Sequence, residues 1–257
     1  MSDTDRNYAA ARGGFGADRA AAIDAGLRAH MIRVYNYMAA AVALSGIVAF
    51  AAYQAAGGAN IVVSGGAVSG LTAFGATLLN GPAMIVLMLA TLGLVFFISF
   101  RIQTLQVTTA LTLFMIYAAL LGLTLTPIFL AYTGASITRV FFISAAAFGA
   151  LSLYGYTTQR DLSPFGTFLI MGLIGIIVAS IVNLFLASSA LNFVISVVGV
   201  LVFAGLTAWD TQKIKEMYDV NDDGSVAGRK AVMGALTLYL DFINLFLMLL
   251  RLFGDRR

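Results

Sequence analysis

The sequence predicts an all-α, polytopic membrane protein built as a bundle of seven transmembrane helices. Three observations predict it. Hydrophobic residues make up 60% of the 257 positions, charged residues only 11%, and the mean hydropathy is +0.93. An ordinary soluble domain is nearer half apolar and a quarter charged, so this chain has too few polar groups to cover a surface facing water. Seven stretches reach the roughly 20 apolar residues that a bilayer-spanning helix needs.

The stretches are Met31–Ala52, Pro82–Phe100, Leu105–Leu130, Ile137–Tyr156, Phe165–Ala187, Leu191–Trp209 and Ala231–Phe253. Their apolar residues run all round the helix instead of along one stripe, as lipid-embedded or fully buried helices require. Pro82 and Pro164 fall at helix starts, where a missing N–H costs least. Pro127 lies late in the third stretch and is expected to end or kink it. Residues 1–30 hold four acidic and four arginine side chains with no apolar core, which reads as a flexible cytoplasmic tail and not a cleavable signal. Residues 31–257 then form one transmembrane domain. The Gly-, Ser- and Thr-rich segment Asn60–Asn80 reads as an outer loop.

Orientation follows from the basic residues near helix ends. The amino-terminal tail carries Arg6, Arg12, Arg19 and Arg28; the second connection has Arg101, the fourth Arg160, and the sixth Lys213, Lys215, Arg229 and Lys230. The connection 53–81 and the residues Ser188–Ser189 carry no charge. The amino terminus is therefore expected in the cytoplasm. The carboxyl end disagrees: seven full crossings place Arg251, Arg256 and Arg257 outside, so the last helix either spans against the rule or re-enters on the cytoplasmic side.

Composition also excludes several chemistries. Without cysteine there are no disulfides, Cys-ligated metals or Cys nucleophiles. His30 is the only histidine, at the inner edge of the first helix, so a His-based metal site is excluded and a Ser–His hydrolase is poorly placed. The net charge of +3 is spread along the chain, which gives nucleic acid no platform.

Of twelve acidic residues, only Asp210 and Asp241 interrupt apolar runs. An Asp at a helix centre costs roughly 2.5–3.5 kcal/mol on insertion scales, and such residues usually face a bundle interior or a watery cavity. Two carboxylates in one dry site cannot comfortably both ionise, and they titrate as a unit. A proton-sensitive switch or a Ca²⁺ site with Asp210 and Asp241 as metal ligands is the sharper reading; helix capping or bonding to a neighbouring Thr, Tyr or Asn is the plainer one. Depth is an obstacle. Asp210 lies three residues from Lys213 and Asp241 eleven from Lys230, a difference of ~12 Å at helical rise.

Arg101 ends the second apolar run and is a candidate latch to Asp210, or else a snorkelling interface anchor. Asp219–Gly224 matches the first half of an EF-hand loop, but Lys230 stands where a bidentate Glu is required, and an Asn/Asp/Gly turn explains it equally. Asn36, Asn183, Asn192 and Asn244 read as interhelical glue, and Gly122, Gly172, Gly175, Gly199 and Gly205 as points of close helix approach. Trp209 fits an interfacial aromatic belt.

Four segments, LGLTLTPIFLAYT (Leu121–Thr133), SLYGYTTQRDLS (Ser152–Ser163), GLTAWDTQKIKEMY (Gly205–Tyr218) and LYLDFINLFLMLLRLFG (Leu238–Gly254), resemble the Bax inhibitor, or transmembrane Bax-inhibitor-motif, family. The resemblance implies a bundle with the seventh helix central and a pH-sensitive calcium leak channel. It also implies that Asp210 and Asp241, at the family's acidic positions on the sixth and seventh helices, form the proton sensor and ion path. Arg101 is an approximate match to a latching arginine. A bacterial inner membrane is the expected location. The expected contacts are the lipid bilayer, Ca²⁺ and H⁺, with no resident cofactor. The alternative is a membrane-embedded regulatory protein that binds a membrane protease or modulates stress and cell-death signalling. No enzyme is expected: an intramembrane aspartyl protease also uses two Asp on adjacent helices, but neither Asp lies in a Gly-x-Gly-Asp pattern, and no paired broken helices mark a transporter's substrate site.

Overall fold

Hydropathy locates the oily part of each helix, and backbone hydrogen bonding carries the helices beyond it. The computed structural model describes residues 3–64 and 67–257, without the side chains of residues 3–22 and of a few positions in 63–80. Seven helices are long and apolar enough to cross a membrane. They are α1 (Asp3–Ala56, with its apolar span at Ile23–Ala56), α3 (Pro82–Arg101), α4 (Val107–Leu125), α6 (Gly134–Thr157), α7 (Ser163–Leu186), α8 (Ser189–Glu216) and α9 (Gly224–Phe253). The tail arginines Arg6, Arg12 and Arg19 lie outside the described side chains.

Pro82 opens α3 and Pro164 sits in the first turn of α7. Pro127 acts as expected. Helix α4 stops at Leu125, and the short helix α5 (Ile128–Ala131) finishes the crossing. The segment expected to be a plain loop is structured: strands β1 (Val62–Ser64) and β2 (Ala67–Ser69) pair antiparallel with Val62 opposite Ser69. Helix α2 (Ala73–Asn80) follows, capped by Thr72, whose hydroxyl accepts from the Gly75 amide. This hairpin was hidden because each strand is only three residues long.

Helix α9 is the axle. Of its most apolar stretch 72% is buried, against 11% for α3 and 6% for α7. It packs against α1, α4, α6 and α8, while α3 leans chiefly on α4 and α7 on α8. Tyr239, fully buried, takes Phe114 and Tyr117 edge-on at centroid distances of 5.6 and 5.9 Å, and Phe242 takes Phe141 and Phe148 the same way. A buried hydroxyl in oil needs a partner. Tyr239 Oη and Ser45 Oγ lie 2.6 Å apart, and Ser45 Oγ is also 2.9 Å from the Ala41 carbonyl and 2.8 Å from the Ala118 carbonyl. One hydroxyl has one proton, so Tyr239 donates to Ser45, and Ser45 shares its own proton between the two carbonyls. That knot ties α9, α1 and α4 together.

Small residues set the helix spacing. A Cβ on Gly155 of α6 would stand 2.1 Å from the Ala208 carbonyl oxygen of α8, and one on Gly122 would stand 2.6 Å from the Ser45 carbonyl oxygen. Gly172, Gly199 and Gly205 likewise face side chains of neighbouring helices, whereas Gly175 faces open space.

The last crossing is complete. Gly228, early in α9, faces Val107 at the start of α4, and residues 254–257 lie at the opposite end. There they form a strap: Thr133 N–H donates to the Asp255 carbonyl, Arg257 N–H to the Ala131 carbonyl, and Asp255 N–H to Ser136 Oγ. Arg139 pairs with Asp255 at 2.9 Å, and Arg257 Nη1 reaches Tyr53 Oη at 3.3 Å. The re-entrant alternative is excluded, and Arg251, Arg256 and Arg257 sit opposite the basic connections. The EF-hand-like segment is a turn: Asp219 accepts from Asn221, and Asp222 pairs with Lys230. Asp223 caps α9, and hydrogen bonds from the Ser225 hydroxyl and the Val226 and Ser225 amides hold its carboxyl below the usual range.

Two predictions follow from this packing. Gly155→Ala should destabilise the protein by about 1–3 kcal/mol through overpacking against backbone, whereas Gly149→Ala, which faces open space, should change stability by no more than about 0.5 kcal/mol; thermal unfolding in detergent measures both. A Ser45→Ala/Tyr239→Phe double-mutant cycle should show a coupling of about 0.6 kcal/mol, rising to no more than about 1.7. Strict additivity would mean that the two hydroxyls do not hold the axle.

Candidate functional site

Why Asp210 and Asp241 share a site follows from the register of α8 on α9. Gly199 faces Met248, where a Cβ would come within 2.8 Å, and Gly234 faces Ile214 at 3.0 Å. In the antiparallel register those contacts define, Asp210 stands opposite Thr237 and Leu238, one turn from Asp241. Lys213 stands opposite Gly234 and Ala235, so Lys230 lies a full turn farther out. The first turns of α9 project beyond the end of α8, and the depth difference inferred from the two lysines shrinks to about one turn because those lysines are not level. Side chains also lean toward the amino-terminal end of their own helix. In antiparallel neighbours offset this way, Asp210 and Asp241 lean toward each other.

The result is a buried pair. Asp210 is 9% exposed and Asp241 5%, and the two carboxyl groups are within hydrogen-bonding reach. Asp241 Oδ2 has no partner among the described residues. Both side chains line one cavity of about 750 Å³, floored by α8 and α9 and walled by α3, α4 and α7. Most of its lining is aliphatic or aromatic, and Ser99, Tyr117, Thr237 and Asn244 supply further oxygens. Thr237 Oγ1 donates to the Met233 carbonyl and Asn244 Nδ2 to the Leu240 carbonyl, which leaves the Thr237 lone pairs and Asn244 Oδ1 as free acceptors.

Chemically the donor set is all oxygen, the kind that suits a hard cation. No cluster of three or more acidic or histidine ligands occurs among the described residues. A cation here would have at most two carboxylates and would depend on neutral oxygens and water for the rest, an arrangement suited to passage more than to tight retention. Two acids within hydrogen-bonding reach can also share one proton between them.

The remaining sequence candidates fall elsewhere. Arg101 is exposed at the end of α3, does not line the cavity, and makes no ion pair with Asp210; the ion pairs among the described residues are Arg139–Asp255 and Lys230–Asp222. His30 is buried beside Tyr218 at 5.9 Å between ring centroids, with Nε2 unpartnered. Trp209 lies on Gly166 at the start of α7, with Lys213 Nζ 5.1 Å from its ring centre.

Sequence reasoning missed a hydroxyl chain beside the pair. Tyr35 Oη meets Ser152 Oγ at 2.6 Å, Ser152 Oγ meets Thr211 Oγ1 at 2.9 Å, and Thr211 donates to the Thr207 carbonyl. Thr211 is the residue after Asp210, and Tyr35 and Ser152 line a second cavity of about 500 Å³ between α1 and α6. Single Ser, Thr and Tyr residues cost little in a membrane helix, so they leave no mark on hydropathy. Their place in the SLYGYTTQRDLS and GLTAWDTQKIKEMY segments was the available signal.

The family model described as "Inhibitor of apoptosis-promoting Bax1" matches residues 27–257. The chain is 47% identical over 235 residues to the inner membrane protein YbhL of Escherichia coli, covering 91% of this chain and 94% of that one. It is 48% identical over 236 residues to RP147 of Rickettsia prowazekii, covering 91% and 92%, and 42% identical over 261 residues to a Caulobacter vibrioides protein matched along its whole length. A family match over nearly the whole chain, on a bundle of seven membrane-crossing helices around the last of them, makes this an integral membrane protein of the Bax inhibitor family.

Proposed function

We propose that the protein is a passive, pH-sensitive calcium leak channel in which the Asp210–Asp241 pair is both proton sensor and cation site. The observation that carries this reading is the placement of two buried carboxyl groups within hydrogen-bonding reach on the wall of one cavity. Ionised, the pair attracts a divalent cation into an otherwise apolar bundle. Protonated, it loses that attraction, and the two side chains hydrogen-bond to each other instead. Each state favours a different spacing of α8 and α9. Ca²⁺ is cargo, met by oxygens alone.

The membrane is a bacterial inner membrane, by analogy with the location in YbhL's name. The connections carrying Arg101, Arg160 and Lys213–Lys230 face the cytoplasm, and the first apolar span begins on that side. Residues 254–257 are then outside, held by the strap. No enzymatic step enters the proposal. Arg101, exposed and apart from the pair, acts as an interface anchor.

The test is calcium flux through purified protein in liposomes across a pH series. The native protein should pass Ca²⁺ with a clear pH dependence, and Asp210→Asn and Asp241→Asn should each give a flat profile. Both variants should fold, since Asn keeps the volume of Asp and the remaining buried carboxyl can take a proton. Arg101→Gln should keep the native profile. PH-dependent flux unaltered in both Asn variants would remove the pair from the mechanism. Absence of any flux from folded native protein would favour a regulatory role through binding.

A further inference from the structure

Among the described residues Arg251 and Arg256 have no acidic partner. At their end of the bundle Arg139 is neutralised by Asp255, and Arg257 is engaged with Tyr53, but neither Arg251 nor Arg256 forms an ion pair among the described residues. Both line a cavity of about 560 Å³ at the α7–α8 turn, together with Asn183, Ser189, Asn192 and Leu184, and a smaller one of about 130 Å³ beside it. No acidic side chain lines the larger.

The cavity is a set of donors. Asn183 Oδ1 is occupied, accepting the Ser188 amide, so its Nδ2 is what remains to offer. Two guanidinium groups add planar forks that match phosphate oxygens. Helix α8 begins here, capped by Ser188 Oγ on the Leu191 amide, and the positive end of a 28-residue helix adds to the same field. Two like charges share this space uncompensated. An anion with several oxygens is the complement of the site.

The rim bears on which anion would fit. Leu184, part of the lining, is 80% exposed, and Phe185 beside it is 85% exposed. The cavity therefore opens onto the bilayer-facing side of α7, where hydrocarbon is the neighbouring medium. We propose that this cavity holds the phosphate group of an anionic phospholipid, with Arg251 and Arg256 on the phosphate and the acyl chains against the exposed apolar face of α7. The same phosphate chemistry could arrive on a soluble molecule, but a soluble phosphate would leave Leu184 and Phe185 uncovered. Neither aspartate lines this cavity, although it adjoins theirs at Ser180, and its test reads no calcium.

Native mass spectrometry of the detergent-purified protein provides the test, with phosphatidylglycerol, phosphatidylcholine and glycerol phosphate titrated in parallel. Phosphatidylglycerol should be retained well above phosphatidylcholine, by roughly fivefold per arginine and on the order of thirtyfold for the pair. Glycerol phosphate at the same concentration should give no retained adduct. The Arg251→Gln/Arg256→Gln variant should lose the preference, whereas Arg139→Gln, which removes one charge from the same end without touching the cavity, should keep it. Asn192→Leu, a milder change within the lining, should weaken retention. Equal retention of the two lipids by native protein would overturn the proposal, and so would a preference surviving in the double arginine variant or vanishing in Arg139→Gln. Glycerol phosphate binding as well as the lipid would overturn the lipid assignment.

Discussion

A helix surrounded by other helices in oil has nowhere to send a polar group except to its neighbours. That constraint governs α9. Tyr239 and Asp241 are two residues apart, so they point to different sides of the helix, and each meets a different partner: Tyr239 the hydroxyl of Ser45, Asp241 the carboxyl of Asp210. The first contact is complete and holds the bundle. The second leaves an oxygen over, Asp241 Oδ2. A filled and an unfilled polar contact thus sit on one helix, separated by half a turn. The difference between them is whether hydrogen-bonding capacity is filled.

The outer helices obey a looser rule. Helix α3 rests on α4 and α7 on α8, and both present most of their side chains to lipid. The cavity that reaches the aspartate pair lies between them. Its walls are the least buried parts of the bundle and its floor the most buried. A cation passing here would be bounded on one side by the most buried helix of the bundle and on the other by the two least buried ones.

Much of this was legible in the residues. Seven apolar runs became seven crossing helices, because in oil length and hydropathy nearly dictate the element. The prolines marked starts and a break as their missing N–H requires. Asp210 and Asp241 stood out for the same reason: a carboxyl in an apolar run is costly enough to be noticed. What hydropathy does not contain is relative depth. Lys213 and Lys230 looked like level markers and are not, because α9 overshoots α8, and nothing local to either lysine says so. The strap formed by residues 254–257 and the hairpin after α1 were hidden for a related reason. Both depend on backbone pairing between short segments, one of them linking residues more than a hundred positions apart. Arg101, read as either a latch or an interface anchor, ends exposed at the rim and apart from Asp210.

The order of elements has a consequence for biogenesis. The axle leaves the ribosome after every helix that surrounds it, so the other six must enter the bilayer with their inner faces still open. Those faces carry Ser45, Ser152 and Thr211, which lipid tails cannot satisfy. Ser45 already bonds to the Ala41 carbonyl within its own helix, Thr211 to Thr207 in the same way, and Ser152 to Thr211 and Tyr35 on neighbours made before α9. These three hydroxyls are thus satisfied while the ring waits for its centre, whereas Asp210 meets Asp241 only when α9 arrives.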